Sequence, residues 1–163
     1  MKSVLATLTG LLLIIIIALA GGTHDHSHDE DGHASAAGEP GKVSSVTRTI
    51  EVKMMETDDG GMLFEPASIE IRHGETIRFA VVNTGEVDHE FVLDSYEKNK
   101  EHKKLMEKFP EMEHDDPNSV RLEPGESGEI IWKFSKAGTF EFACLIPGHY
   151  ELGMTGPIKV AGH

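Results

Sequence analysis

The sequence predicts an all-β fold, a β-sandwich or barrel with one short inserted helix, over residues 46–163. Apolar residues alternate with polar ones along many short segments, and turn-forming clusters such as DDGG (58–61) and EPGES (123–127) separate these segments. Alternation with a period of two is typical of strands that bury one face. Because nothing in this region has the strand-then-helix order of βαβ units, a sandwich or barrel is favoured over an α/β fold.

Seven segments carry the alternation, and in each of them large apolar residues recur at every second position. In the first, for example, Ile50, Val52 and Met54 lie on the same side of the predicted strand. In order along the chain the predicted strands are VTRTIEVKM (46–54), SIEI (68–71), TIRFAVVN (76–83), HEFVLD (89–94), EIIWKF (129–134), GTFEFAC (138–144) and PIKV (157–160).

Residues 95–119 break the alternation. This segment is rich in helix-forming residues up to Phe109, and Pro110 ends the run. We expect an inserted helix of about two to three turns, with Leu105, Met106 and Phe109 as a short apolar stripe. The helix should pack on one side or end of the sandwich, and an acidic loop should follow it.

The N-terminal segment is predicted to lie outside the folded domain. Lys2, the apolar run LLLIIIIALA (11–20) and the small residues around Ala20 are typical of a secretory signal peptide, residues 1–20, which predicts a periplasmic protein. The alternative is an uncleaved membrane anchor, because this stretch is nearly long enough to span a bilayer. Residues 21–45 contain almost no large apolar side chains and are predicted to be a disordered tail rich in His and Asp.

The charge of the chain excludes two classes of partner. The formal net charge is −13, from 15 basic and 28 acidic side chains. Such a surface repels nucleic acid and anionic membranes, so neither is expected as a partner once the signal peptide is removed. A cationic protein partner remains possible, and we expect a monomer.

The single cysteine, Cys144, needs an explanation in an exported protein. Cysteines in oxidising compartments tend to pair, so an unpaired one is a metal ligand, an intermolecular bridge or a buried thiol. Phe140 and Phe142 face inward in their strand, and by parity Cys144 also points inward at the strand's end. In the same way Phe91 places His89 inward at the start of its own strand.

A ten-residue loop after Cys144 offers two more metal-binding side chains, His149 and Met154. Pro147 and Gly148 predict a tight turn that returns this loop toward the end of the sandwich. One thiolate, two imidazoles and a thioether form the donor set of blue-copper sites. Zinc sites usually have four strong ligands, and methionine is rarely among them.

The motif C-x4-H-x4-M in CLIPGHYELGM (144–154), with DHEF (88–91) upstream, resembles the cupredoxins. Its loop spacing is similar to that of rusticyanin and auracyanin, and residues 61–93 with the His-rich tail look most like exported bacterial copper-tolerance cupredoxins. The resemblance implies an eight-stranded Greek-key β-sandwich and one type 1 copper with one-electron chemistry. It also implies the ligand set His89, Cys144, His149 and Met154. The sequence departs from many cupredoxins at Glu90, where they have Asn, although its backbone N–H is placed to bond the Cys144 sulfur.

The predicted function is that of an exported copper protein that cycles between Cu(II) and Cu(I) in copper tolerance, with a redox partner docking near His149. A general electron carrier and a metal-free structural sandwich are the alternatives. No enzymatic activity is expected. A copper oxidase needs further coppers held by paired H-x-H motifs on folded strands, and here H-x-H occurs only in HDHSH (24–28) of the tail.

Two further groups of side chains are candidates for additional metal. The tail carries His24, His26, His28 and His33 among carboxylates, a set that suits Cu(II), Ni(II) or Zn(II) and is either a weak metal collector or a solvated tail. The insert carries Met106, Met112 and His114, a softer set suited to Cu(I). For the insert we favour the alternative in which Met106 packs on the sandwich and the other two side chains are solvated.

Overall fold

The computed structural model describes residues 35–110 and 116–162. Two five-stranded sheets pack face to face, in the orders β1-β8-β5-β2-β3 and β4-β10-β9-β6-β7. The strands of this part of the chain are β1 (Glu39–Pro40), β2 (Arg48–Glu56), β3 (Met62–Glu65), β4 (Ile69–Arg72), β5 (Thr76–Asn83), β6 (His89–Asp94), β7 (Ser119–Leu122), β8 (Ser127–Lys133), β9 (Gly138–Ala143) and β10 (Thr155–Ala161). The predicted all-β sandwich with one helix is confirmed.

The chain crosses repeatedly between the sheets, which gives the sandwich its Greek-key connections. β2 pairs with β5 and β4 with β10 in parallel, whereas the other pairings are antiparallel. The described residues form ten strands where the resemblance implied eight. The three that the alternation did not predict, β1, β3 and β7, are only two to four residues long.

An aromatic cluster fills the space between the sheets. Phe64 contacts Phe91 and Phe142 edge to face, with ring centroids 5.7 Å and 5.1 Å apart. Phe91 and Phe142 stack on each other at 5.6 Å across neighbouring strands. Phe91 and Phe142 lie two residues along their strands from His89 and Cys144, on the same face of the sheet. The strand ends that carry these two candidate ligands therefore pack on the aromatic cluster.

The folded domain begins before residue 46, and the predicted disorder of residues 35–45 is wrong. β1 pairs with β8 through Glu39 and Lys133, and Ala37 is fully buried in the core. Gly38 permits this contact, because a Cβ there would lie 2.0 Å from the carbonyl oxygen of Lys133. Small residues such as alanine and glycine gave no apolar signal in the sequence. The predicted signal peptide and the four tail histidines lie outside the described residues.

The inserted helix α1 (Tyr96–Lys108) covers the outer face of the second sheet. It begins at Ser95, whose hydroxyl accepts a hydrogen bond from the Lys98 N–H, and its 13 residues make it longer than predicted. The predicted apolar stripe is wrong, because Met106 is buried while Leu105 and Phe109 are 47% and 59% exposed.

The helix contacts the sheet along a narrow line that includes Asn99 and Met106, seven residues apart and therefore on one face. Met106 forms a second small core with Val92, Ala143 and Leu145. This packing explains why β6 is buried on both faces. Of the insert's other two candidate ligands, Met112 and His114, nothing is described. Among the described helices none is long and apolar enough to cross a membrane.

Candidate metal centre

The candidate centre lies at the end of the sandwich where β6 begins and β9 ends. These strands are antiparallel neighbours, with Val92 opposite Ala143, so the residue after Ala143 lies beside the start of β6. Cys144 is fully buried there, and its Sγ accepts a hydrogen bond from the Glu90 N–H at 3.3 Å. The hydrogen bond expected from the sequence is confirmed.

The loop 145–154 turns back so that His149 reaches Cys144. Gly148 has a φ of +92°, a conformation that favours glycine, and the His149 N–H bonds the Ile146 carbonyl at 3.1 Å. The loop closes through two further backbone bonds, from Met154 N–H to the His149 carbonyl at 3.2 Å and from Cys144 N–H to the Met154 carbonyl at 3.0 Å. His149 Nδ1 consequently lies 3.4 Å from Cys144 Sγ.

Three of the four predicted ligands converge. One donor atom each from His89, Cys144 and His149 lies within 4.8 Å of the others, and the two imidazole rings are 5.2 Å apart. Met154 is fully buried in the same core cluster as Cys144. His89 is fully buried, whereas His149 is only partly buried, which is the order of burial expected from the sequence.

The donor set fits a copper ion. His89 Nδ1 is buried and has no hydrogen-bond partner among the residues that the structure describes, although a buried polar atom is normally paired. Thiolate and imidazole together suit copper, and a nearby thioether suits Cu(I) in particular. The orphaned nitrogen, facing a thiol and a second imidazole, is what a metal-binding cluster requires.

Burial shifts the pKa of all three converging side chains. It lowers the pKa of His89, against the opposing effect of Glu56, and it lowers the pKa of His149, assisted by the neighbouring His89. Both imidazoles therefore favour the neutral form that binds metal. Burial raises the pKa of the Cys144 thiol to about 12, so metal binding has to displace a proton from it.

The Glu90 side chain lies beside the start of the ligand loop. Its side chain is buried close to the backbone N–H of Leu145, the first residue after Cys144. Burial raises the pKa of Glu90 to about 7, and its Oε2 has no partner within the described residues. Glu90 thus bonds the Cys144 sulfur through its backbone N–H and places its buried carboxyl beside the first residue of the ligand loop.

Glu141 anchors the other end of the ligand loop, and sequence reasoning missed it. This β9 carboxylate accepts hydrogen bonds from the Tyr150 hydroxyl at 2.9 Å, the Thr155 hydroxyl at 3.0 Å and the Asn99 side chain at 3.0 Å. Tyr150 and Thr155 directly follow His149 and Met154, so one carboxylate holds both ends of the segment between them. The only sequence signal was an acidic residue between two phenylalanines.

Helix α1 reinforces this anchor. Asn99 reaches Glu141 from the helix, and Lys103 forms an ion pair with Glu151 of the loop while lying 5.6 Å from the Tyr150 ring centroid. Tyr150 also packs against the small core around Met106. The insert therefore contacts the ligand loop from outside the sandwich.

Glu56 contacts His89 from the opposite side of the site and was also missed. Its Oε1 lies 3.0 Å from His89 Nε2. Burial acts to raise the pKa of Glu56, but hydrogen bonds from the backbone N–H groups of Glu86, Val87 and Glu56 itself outweigh it, so the pKa lies below its usual value. The two residues are 33 positions apart, and no local pattern connects them.

Around His149 the surface is apolar at its centre and acidic at its edge. Leu152 and Val87 are 47% and 42% exposed. The four loops at this end of the sandwich, 57–61, 84–88, 123–126 and 145–154, contain neither lysine nor arginine. They carry the carboxylates Asp58, Asp59, Glu86, Asp88, Glu123, Glu126 and Glu151.

The family "Copper binding proteins, plastocyanin/azurin family" matches residues 50–161. The chain belongs to this family. It is 48% identical over 135 residues to the copper-resistant cuproprotein CopI of Rubrivivax gelatinosus, covering 83% of this chain and 78% of that protein. It is 36% identical over 177 residues to CopI of Pseudomonas aeruginosa, covering 91% and 93% of the two chains.

Among solved structures, auracyanin B is similar with a TM-score of 0.60 and 22% identity, over 78% of this chain and 96% of that one. The predicted cupredoxin resemblance is therefore confirmed for the fold and for copper as the cofactor. The likeness of the ligand loop to those of rusticyanin and auracyanin stays a prediction.

Proposed function

We propose that His89, Cys144 and His149 would hold a single type 1 copper, with Met154 as a further, weak ligand, and that the protein serves in copper tolerance outside the cytoplasm. The observation that carries this proposal is the cluster of two imidazoles and one thiol, in which His89 and Cys144 are buried and His89 Nδ1 has no partner within the described part of the chain. Copper bound there supplies a one-electron couple between Cu(II) and Cu(I).

The chain's own residues suit such a couple because they are held in place before the metal binds. The Glu90 N–H bonds the sulfur, and the Glu141 carboxylate holds Tyr150 and Thr155, which flank the second part of the ligand loop, to the sheet. A site that moves little when it gains an electron exchanges electrons with a small reorganisation cost. Full burial of His89 and Cys144 keeps their side of the cluster away from water.

His149 is the proposed point of electron entry and exit. It is the one partly exposed member of the converging cluster, and Leu152 and Val87 provide apolar surface beside its loop. A small apolar patch suits a brief encounter with a redox partner. The acidic loops around it favour a partner with a basic docking surface.

The role in copper tolerance is supported by the relatives named copper-resistant cuproprotein CopI. The predicted leader (1–20) and the histidines of residues 21–34 support an exported protein that meets excess copper. We infer a copper carrier without enzymatic activity, a reading that the copper-binding family and the relatives named copper-resistant cuproprotein support.

The decisive experiment is titration of the leaderless protein with Cu(II), followed by visible absorption and electron spin resonance. We expect one copper per chain and an intense thiolate-to-copper charge-transfer band. Cys144→Ser should abolish the band, because a hydroxyl cannot replace the soft thiolate. A band that persists in Cys144→Ser would overturn the site.

The role in tolerance needs a separate experiment in cells. A host lacking this gene should grow poorly in excess copper, and the wild-type protein should restore growth whereas Cys144→Ser should not. If Cys144→Ser restores growth as well as the wild type does, tolerance does not depend on this copper site.

A further inference from the structure

Glu56, at the end of strand β2, contacts the candidate copper ligand His89. Glu56 is the last residue of β2, and its carboxylate caps the turn that leads into β6. Oε2 accepts a hydrogen bond from the Glu86 N–H at 2.9 Å, and Oε1 accepts one from the Val87 N–H at 3.2 Å. The same Oε1 lies 3.0 Å from His89 Nε2, and the side chain is only 27% exposed.

The turn is shaped to admit this carboxylate. A Cβ at Gly85 would lie 2.4 Å from Glu56 Oε2, so a residue with a side chain at this position would push the carboxylate away. The turn is held on its other side by bonds from the Gly85 N–H to Asn83 Oδ1 at 2.9 Å and from the Thr84 N–H to the Met54 carbonyl at 2.9 Å. The carboxylate is therefore fixed relative to the His89 ring.

The Glu56 carboxylate determines which nitrogen of the His89 ring carries the proton. A carboxylate accepts hydrogen bonds and donates none, so the single N–H of neutral His89 lies on Nε2. Nδ1 then carries the free lone pair, and it is the nitrogen that is buried and unpartnered in the described part of the chain. A fixed negative charge behind a metal-bound imidazole also increases the electron donation of the ring.

We propose that Glu56 is a positioning residue that holds His89 in the metal-binding tautomer and biases the copper site toward Cu(II). This inference rests on the proposed copper function. Without the negative charge on Glu56, Cu(II) should lose more binding energy than Cu(I), because the more highly charged ion gains more from a strong donor. Loss of that charge should therefore raise the reduction potential.

The test compares Glu56→Gln with Glu86→Gln. Both variants remove one negative charge from the same turn region, but the exposed Glu86 side chain is not the one that bonds His89. Glu56→Gln should change the ratio of Cu(II) to Cu(I) affinities about tenfold, which corresponds to a rise of ~59 mV for a one-electron couple. Glu86→Gln should change it far less, because its charge is screened by solvent. Equal shifts in the two variants would overturn the proposal.

A second measurement uses the metal-free protein. Long-range proton–nitrogen NMR of the imidazoles should show His89 protonated at Nε2 in the wild type, and a mixture of tautomers in Glu56→Ala. A wild-type His89 that carries its proton on Nδ1 contradicts the proposal, whether or not any variant folds. If the wild type gives no charge-transfer band, the proposed function fails; if the band is present and the potentials of the two Gln variants agree, only the role of Glu56 fails.

Discussion

His89 and His149 offer the same imidazole to one cluster, but the protein holds them in different ways. His89 begins β6, which has a neighbour on each side, and it is fully buried and bonds the Glu56 carboxylate, which in turn is held by a turn of the backbone. His149 lies on a loop, is partly exposed and depends on neighbours that are anchored to Glu141 and to helix α1. The two histidines therefore differ in their tasks. The strand fixes His89 in the interior, whereas the loop leaves His149 accessible from the surface.

The largest effect should come from removing either imidazole. His149→Gly and His89→Gly should both lose the charge-transfer band, and free imidazole added to the solution should restore it only in His149→Gly. The gap left by His149 opens toward solvent, whereas the gap left by His89 is enclosed by the sandwich. Visible absorption during an imidazole titration measures this. If free imidazole restored the band equally in both variants, His89 and His149 would not differ in their access to solvent.

The next largest effect should come from the contact of the helix with the outer face of the sheet. Met106→Ala leaves a cavity beside Leu145 and Tyr150 and should lower the free energy of unfolding by about 2–5 kcal/mol. It should also speed copper release, because the support of the loop is weakened. Urea unfolding and copper transfer to a chelator measure both. Met106→Leu, which conserves volume, is the control and should cost less than about 1.5 kcal/mol.

The buried carboxyl of Glu90 should make stability depend on pH in the metal-free protein. Burial raises the pKa of Glu90 in the folded protein from 4.5 to about 7. The contribution of Glu90 to the free energy of unfolding is therefore fully present below pH 4.5 and is lost as the pH rises through 7. Over that range the wild type should lose about 2–3 kcal/mol relative to Glu90→Gln, by linkage. Urea unfolding of both proteins at several pH values measures the difference. Parallel pH profiles would show that Glu90 stays charged when folded.

The smallest effect should come from the Glu141 anchor. Glu141→Ala leaves Tyr150, Thr155 and Asn99 without their shared acceptor and should cost about 1–2 kcal/mol. Copper release should accelerate, whereas the His89 tautomer should stay unchanged, because Glu141 acts on the loop side alone. Glu70→Ala, at an exposed position of the same sheet, is the control. A control that releases copper equally fast would show that Glu141 has no special role.

The parity of short strands was enough to predict which way Cys144 and His89 face, and the Pro147-Gly148 turn was enough to predict that His149, five residues after Cys144, returns to it. These predictions needed only local geometry. Glu56 and Glu141 could not be predicted, because their partners are up to 42 positions away and meet them only through strand order and register. The ordered segment around Ala37 was missed for a different reason, since small residues fill a groove without an apolar pattern.

The spacing of the candidate ligands has a consequence for the energetics of copper binding. Cys144, His149 and Met154 fall within an eleven-residue segment, so the unfolded chain can already gather three of the four donors around an ion. Copper stabilises the native protein only to the extent that it binds the native state more tightly than the unfolded one. His89 is the donor that folding alone brings to the other three. The rise in melting temperature on copper binding therefore reports a difference between two affinities, and it underestimates how tightly the native protein holds the metal.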